Sequence, residues 1–402
     1  MDLAEKKENV KFFPLIFIGA LICSPTRIFH SGLINESVEM LFPFFSFSFL
    51  FLFAILAMLP IKGKSTSYYD KTVFSLVFAI FFTQLIYSFL GFKHDDIFQF
   101  NSAFIIFLIS CYLIVKKLKT NDMLMVIKYS FLLLCILSPI SLFAGSYGDL
   151  MGRSGSLGLS PNEVALIGGT LFLYGLFSEK NLPIYVTIGF LAMLLSASRR
   201  MFFLCLFIFL IKTLFQRPAL FISIIVAILS LFYSYFQLNE DSVENIRQYV
   251  PLFDRLIFAS DTNNSTLSFF IDESRLTWWA DSLNLVLQNP FEFRSHSEVQ
   301  NLILSNQSVH VHNLFIQFCL QYGLIFGIFL TILMFYPFLR ILLFLNKDRN
   351  ENSVFLGCFT ILFIVYAFFD YPFFNLKMLF IFCLFFTMSL KLTTINYEKS
   401  HV

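Results

Sequence analysis

Charged residues are scarce in this sequence: aspartate, glutamate, lysine and arginine make up only 13% of its 402 residues. The formal net charge is +2, and the chain has no basic tail, zinc-finger spacing or phosphate-cradling glycine loop, so nucleic acid is not an expected partner. Hydrophobic residues reach 57%, and the mean hydropathy is +0.76. A soluble fold cannot bury this much apolar surface, so we predict an all-α polytopic integral membrane protein.

The cysteines and histidines suggest neither a disulfide framework nor a metal centre. All seven cysteines fall inside apolar segments, where cysteine acts as a small hydrophobic residue. His310 and His312 lack a third ligand at a convincing spacing, so a zinc site is not predicted. We therefore expect no metal and no other cofactor.

Apolar runs alternate with short polar turns along the whole chain. They predict about twelve membrane spans, of which residues 1–236 carry the first nine and residues 310–402 the last three. Residues 237–309 form one large polar loop that carries short helices. The lysine-rich turns lie on one side of the membrane, which by the positive-inside tendency places both termini in the cytoplasm and the large loop outside.

This topology collects most of the polar candidates on the outer side of the membrane. They are Arg153, Arg199, Arg200, Arg275, His310, His312 and Asp370. A purely structural protein has no reason to gather them there, so we interpret this side as the location of a site.

An amide stripe begins the helix that returns the chain to the membrane after the large loop. Asn313, Gln317 and Gln321 are spaced i, i+4 and i+8, so they share one helix face. Lipid would penalise this face, so we expect it to point into the bundle interior or a wet cavity. Gly323 and Gly327 follow at a spacing that predicts the close approach of another helix.

His310 and His312 stand immediately before this helix. They either pack at the membrane interface, or a neutral imidazole takes a proton from a hydroxyl near pH 7. Asp370 is a rival base or an orienting partner. We expect a histidine to have the chemical role.

A short turn carries Arg199 and Arg200 between two predicted spans of about 14–16 residues, fewer than the roughly 20 that a full crossing needs. The arginines therefore sit at or inside the membrane boundary. They either snorkel at a helix end or bind an anion, for which the guanidinium fork suits a diphosphate.

Arg275 is predicted to lie in the first turn of a helix whose plausible N-cap is Asp272. A cation is disfavoured there by the helix dipole, so Arg275 either pairs with Asp272 or joins the helix N-terminus in binding a phosphate. Trp278 and Trp279 follow on the same helix. They suit packing at the membrane interface, or a flat face for a sugar ring.

Arg153 lies in a glycine-rich segment that ends in a predicted helix start. Ser160 and Glu163 have the spacing of a capping box with Pro161 at the first helical position, so Glu163 is interpreted as structural. Arg153 is either a ligand contact or a surface charge.

Together these motifs resemble the O-antigen polymerase and O-antigen ligase superfamily. The resemblance is carried by Ser160-Pro161-Asn162, Ser198-Arg199, Arg275…Trp279…Asn289-Pro290 and His312-Asn313…Gly323…Gly327. The chain departs from the family pattern at Gln321, where an acidic residue usually stands two positions before the first glycine.

The resemblance implies metal-independent transfer of a glycan from an undecaprenyl-diphosphate carrier at the periplasmic face of a bacterial inner membrane. Arg199 and Arg275 would hold the diphosphate, and His312 would activate or position the acceptor hydroxyl. We add Arg200 and Arg153 to the diphosphate contacts. The remaining predicted substrate contacts are His310, Asn313, Gln317 and Asp370. The expected partners are an undecaprenyl-diphosphate-linked oligosaccharide, membrane lipid and a chain-length regulator protein.

Two functions share this donor. A polymerase transfers the glycan to a second lipid-linked repeat unit, and a ligase transfers it to the lipid A core. We prefer the polymerase because such enzymes are numerous and diverse. A transporter is a third hypothesis, but it should show charged or broken helices near the midplane, whereas the charge here clusters at one face.

Overall fold

The computed structural model describes the chain in segments, and all statements below refer to them. They are residues 15–16, 18–23, 68–89, 95–144, 155–156, 159–179, 182–236, 273–294, 296–303, 311–345 and 350–400. Within them the protein is helical, and the only β-type pairing is an isolated bridge between Ser156 and Leu159. This confirms the all-α class.

The described residues include twelve α-helices. In chain order they are α1 (Tyr68–Phe89), α2 (Asp95–Lys117), α3 (Thr120–Ala144), α4 (Pro161–Phe177), α5 (Pro183–Ser196), α6 (Arg199–Gln216), α7 (Pro218–Phe236), α8 (Glu273–Gln288), α9 (His296–Leu302), α10 (Leu314–Leu345), α11 (Glu351–Phe369) and α12 (Leu376–Ser400), with a 3-10 turn at Pro372–Phe374 before α12.

The chain divides into two compact units. The first comprises Met1–Thr26, Gly32–Ser130 and Glu273–Val402, and the second comprises Arg27–Ser31 and Phe131–Asp272. The predicted domain limits at 236, 237–309 and 310 follow the membrane topology rather than packing, and they stay a prediction.

In the first unit, α12 is the central helix and packs against α1, α2, α10 and α11. Phenylalanine rings fill the space between these helices: Phe338 of α10, Phe363 of α11 and Phe382 of α12 are fully buried, with ring centroids 5.3 to 5.9 Å apart. Lipid is as apolar as these side chains, so the hydrophobic effect does not drive the helices together within a membrane. Ring packing of this kind therefore holds membrane helices together mainly by dispersion.

In the second unit, α4 and α5 make the closest helix pair. A Cβ atom on Gly168 would lie 2.9 Å from the carbonyl oxygen of Gly189, so only glycine permits this separation. The start of α4 confirms the predicted capping box: the Ser160 hydroxyl accepts the Glu163 N–H, and the Glu163 carboxylate accepts the Ser160 N–H, with Pro161 at the first helical position.

Four of the described helical segments are long and apolar enough to cross a membrane: Thr120–Pro139, Leu314–Leu345, Glu351–Phe369 and Lys377–Thr394. Shorter apolar helices occur at Lys71–Phe82, Pro183–Ser196 and Pro218–Ser230. A multi-helix membrane protein is therefore confirmed. The predicted total of about twelve spans stays a prediction. One of them is predicted from the apolar run at residues 40–61, which lies outside the described residues.

A kink divides α10 at Gly323, which has a φ of +70°. The helix restarts at Leu324, whose N–H donates to the carbonyl oxygen of Pro290 over 2.7 Å. A Cβ on Gly323 would lie 2.9 Å from that same oxygen, and a Cβ on Gly327 would lie 2.7 Å from Cys319 Cα. The predicted close approach at these glycines is therefore observed, but it is made by the turn after α8 at Gly323 and by the first half of α10 at Gly327.

Candidate active site

His312 and Asp370 pair in the first unit, although 57 residues separate them in the chain. His312 Nδ1 lies 3.0 Å from Asp370 Oδ1, and the two side chains are 20% and 13% exposed. The same carboxylate oxygen accepts the backbone N–H of Tyr371 over 2.9 Å. This second bond fixes the carboxylate, so Asp370 orients the imidazole ring while the ring keeps some access to its surroundings.

The backbone of His312 is strained, with a φ of +55° in the left-handed region. A non-glycine residue stays in that region only when its neighbours hold it there. Val311 is held on both sides: its carbonyl accepts the Trp279 ring N–H over 2.9 Å, and its N–H donates to Gln317 Oε1 over 3.1 Å. These bonds secure the residue that precedes the histidine.

Asn313, the residue that follows the histidine, is held by two hydrogen bonds of its side chain. Its Oδ1 accepts the Ile316 N–H over 3.0 Å, which caps the first turn of α10, and its Nδ2 donates to the Phe368 carbonyl over 2.9 Å. The side chain therefore ties the start of α10 to the end of α11. His312 thus sits between two residues whose positions are fixed by long-range hydrogen bonds.

The amide stripe points inward, as the sequence predicts. The residues Asn313, Gln317 and Gln321 are 2%, 0% and 2% exposed. This confirms that the stripe avoids lipid. Its first two members are engaged with the backbone around His312.

Arg275 reaches the end of α11 from the first turn of α8, which confirms the predicted helix around it. Its Nη1 donates to the Phe369 carbonyl over 3.1 Å, one residue before Asp370 in the chain. The alternative partner Asp272 lies outside the described residues, and no carboxylate among the described residues forms an ion pair with Arg275.

The two tryptophans pack on the same segment. Trp278 stacks on the His312 imidazole with ring centroids 6.2 Å apart and an angle of 19° between the planes. Trp279 meets Phe368 edge to face at 5.8 Å. Both rings contact a buried apolar cluster that includes Val286. They are therefore part of the wall that surrounds the histidine.

Tyr371 is a buried residue that directly follows Asp370. The residue is 3% exposed, and burial, together with nearby Tyr322, raises the pKa of its phenol well above its ordinary value. The phenol is consequently neutral at every physiological pH. The Tyr371 side chain therefore adds no negative charge to this region.

Arg199 and Arg200 are the first two residues of α6 in the second unit. The turn before them is tight: Ala197 has a φ of +50°, and the Ser196 hydroxyl donates to the Met193 carbonyl over 2.8 Å. Both arginines are half-buried. Cations at a helix N-terminus oppose the helix dipole, so an anion beside the two guanidinium groups would be favourable at this position.

The described part of the chain thus brings together His312, Asp370, Asn313, Gln317 and Arg275 in one unit, and presents Arg199 and Arg200 in the other. Arg153 and His310 lie outside the described residues. An imidazole whose Nδ1 donates to a carboxylate presents a basic Nε2, which suits it to accept a proton from a hydroxyl.

Comparison with protein-family models gives a match to part of the chain. No curated protein matches the chain. Residues 184–332, less than half of the chain, match the family model described as O-antigen ligase. The matched segment contains Arg199, Arg200, Arg275 and His312 but ends before Asp370. That family covers polymerases as well as ligases, and the match agrees with the resemblance of the sequence motifs to the O-antigen polymerase and ligase superfamily.

Proposed function

We propose that this protein is a membrane-embedded glycosyltransferase that moves a glycan from a lipid diphosphate to a sugar hydroxyl, and that it acts as an O-antigen polymerase. Donor and acceptor are then both carried on undecaprenyl diphosphate. The observation that carries the proposal is the contact of His312 with Asp370 at 3.0 Å, beside a segment that also holds Arg275. A base and a cation held on one segment are what such a transfer requires.

His312 acts as the base in this reaction. The acceptor oxygen forms a bond to the anomeric carbon of the donor sugar, and the bond from that carbon to the diphosphate oxygen breaks. The hydroxyl proton passes to His312 Nε2, while Asp370 at Nδ1 stabilises the resulting imidazolium. The electron pair of the broken bond leaves with the diphosphate, and the proton is released afterwards.

The arginines bind the leaving group. Arg275 and Arg199 neutralise the charge that grows on the diphosphate, and Arg200 and Arg153 add further positive charge. A guanidinium can hold a protein carbonyl and a phosphate oxygen at once, which fits Arg275 with its single bond to the Phe369 carbonyl. Charge neutralisation and positioning suffice, so this mechanism needs no metal ion.

The remaining predicted contacts have supporting roles. Asn313 and Gln317 already bind the backbone beside His312, so we assign them to positioning the base. A direct substrate contact by either residue, or by His310, stays a prediction. We place the site at the periplasmic face of a bacterial inner membrane, with both termini cytoplasmic and the 237–309 loop outside.

A ligase is the second candidate, because the family model that matches residues 184–332 is described as O-antigen ligase. The donor and the leaving group are the same in both reactions. Only the acceptor differs, since a ligase transfers the finished glycan to the lipid A core. The residues that handle the diphosphate and the proton therefore do not separate the two functions.

Deletion of the gene, followed by gel analysis of lipopolysaccharide, tests the proposal. Core carrying a single repeat unit identifies a polymerase, whereas bare core with accumulating lipid-linked polymer identifies a ligase. An unchanged ladder contradicts both. Complementation with the wild type should restore the ladder and complementation with His312→Ala should not, at equal amounts of protein in the membrane.

A further inference from the structure

A second polar site lies at the opposite end of α6 from Arg199 and Arg200. The helix has 18 residues, so its ends are about 27 Å apart. A cavity of about 420 Å³ opens there among the end of α4, the start of α5, the end of α6 and the start of α7, all within the second unit. The cavity is thus remote from Arg199 and Arg200, so these two residues do not account for its polar lining.

Two cations line this cavity, Lys212 and Arg217. Lys212 donates to the Leu176 carbonyl, one of the last carbonyls of α4, and its ammonium lies 4.8 Å from the centre of the Phe177 ring. These contacts hold the ammonium at the cavity wall. Arg217 is exposed, and no carboxylate is among the described residues that line the cavity. The local charge is therefore positive.

Neutral polar groups and a helix start accompany the two cations. Thr187 and Gln216 line the cavity, and α7 begins beside it at Pro218. The amides of a helix's first turn have no acceptor within the helix, so they attract an anion. The rest of the lining is largely apolar and includes Val186, Phe209 and Leu220. The cavity thus combines cations that suit an anion with apolar side chains that suit hydrocarbon.

We propose that this cavity binds the phosphate headgroup of an anionic glycerophospholipid of the cytoplasmic leaflet, with the acyl chains along its apolar wall. The topology inferred from the lysine-rich turns puts Lys212 and Arg217 at the cytoplasmic side, where anionic headgroups meet basic pockets between membrane helices. Lys212 and Arg217 bind the phosphate, and Thr187 and Gln216 bind the headgroup hydroxyls. The site is independent of the glycan transfer proposed above.

Native mass spectrometry of the delipidated full-length protein tests this proposal. Phosphatidylglycerol and phosphatidylcholine with identical acyl chains are titrated in parallel, and phosphatidylglycerol should bind at the lower concentration. Arg217→Gln should weaken its binding about fivefold, the effect of one surface cation near an anionic lipid. The control Arg340→Gln removes a half-buried arginine of α10, which is not among the cavity residues, and should leave binding unchanged.

Thr187→Phe gives an independent readout, because it fills the cavity and keeps both cations. It should abolish the preference for phosphatidylglycerol. Equal binding of the two lipids, or equal effects of Arg217→Gln and Arg340→Gln, would overturn the proposal. Displacement of phosphatidylglycerol by excess inorganic phosphate would assign the site to a free phosphate instead, and would overturn the lipid assignment.

Discussion

Around His312, side chains from α8, α10 and the end of α11 converge. The histidine pairs with Asp370, and hydrogen bonds of Trp279, Gln317 and Asn313 hold the backbone on both sides of it. Around Arg199 and Arg200, a single turn between α5 and α6 presents both charges. The first region depends on tertiary structure and the second on local structure. We infer that the proton-handling part of the reaction demands a more exact geometry than the charge-neutralising part.

The largest effect should come from the converging region. Replacing His312 by alanine removes the proposed base, and we expect turnover to fall on the order of 100- to 10,000-fold. Glycan transfer by the purified protein, with a lipid-linked donor, measures this. His401→Ala, at the predicted cytoplasmic C-terminus, is the matched control and should retain full turnover. Normal glycan chains from His312→Ala would remove the histidine from the mechanism.

Arginine-to-lysine changes compare the two regions directly, because they keep the charge and remove the fork. Arg275→Lys must give up either the Phe369 carbonyl or the phosphate, so we expect kcat/KM to fall about 100-fold. Arg199→Lys should cost only about tenfold, since a charge at the turn still attracts the diphosphate. Arg340→Lys controls for the substitution itself. Equal losses at both positions would show that the two regions have the same geometric demands.

Asp370→Asn tests whether the pair with His312 orients the ring. The amide allows the imidazole to take the wrong tautomer, so kcat should fall on the order of tenfold while KM stays close to that of the wild type. Asp370→Glu keeps the carboxylate and should recover part of the loss. A rise in KM with no change in kcat would instead mean that Asp370 contacts substrate.

Local patterns predicted much of the fold. The capping box at Ser160 and Glu163, the helix around Arg275 and the inward face of Asn313 and Gln317 were all confirmed. Each of them depends on residues within two turns of one helix. The periodicity and capping rules that govern such short stretches are readable from the sequence.

Long-range contacts were not predictable in the same way. Asp370 was a candidate from its predicted side of the membrane, but its pairing with His312 depends on how α11 packs against α10. The bond from Trp279 to the Val311 carbonyl and the left-handed backbone of His312 have no sequence signature at all. The glycine spacing predicted a close approach at Gly323, but the segment that makes it, the turn after α8, is set by tertiary structure.

The smallest effect should come from a substitution at Gly323, the kink between the two halves of α10. Gly323→Ala puts a side chain at a φ of +70° and a Cβ 2.9 Å from the Pro290 carbonyl, so stability should fall by about 1–2 kcal/mol from the backbone alone. Thermal unfolding of the purified protein measures this, with Gly19→Ala as control, because a Cβ there meets only the side chains of Val126 and Ser130 at 3.3 and 3.4 Å. Because the kink fixes the turn after α8 to α10, transfer should also slow by a few-fold. Unaltered stability would mean that the chain relaxes at Gly323, and the converging region would then be less rigid than its hydrogen bonds indicate.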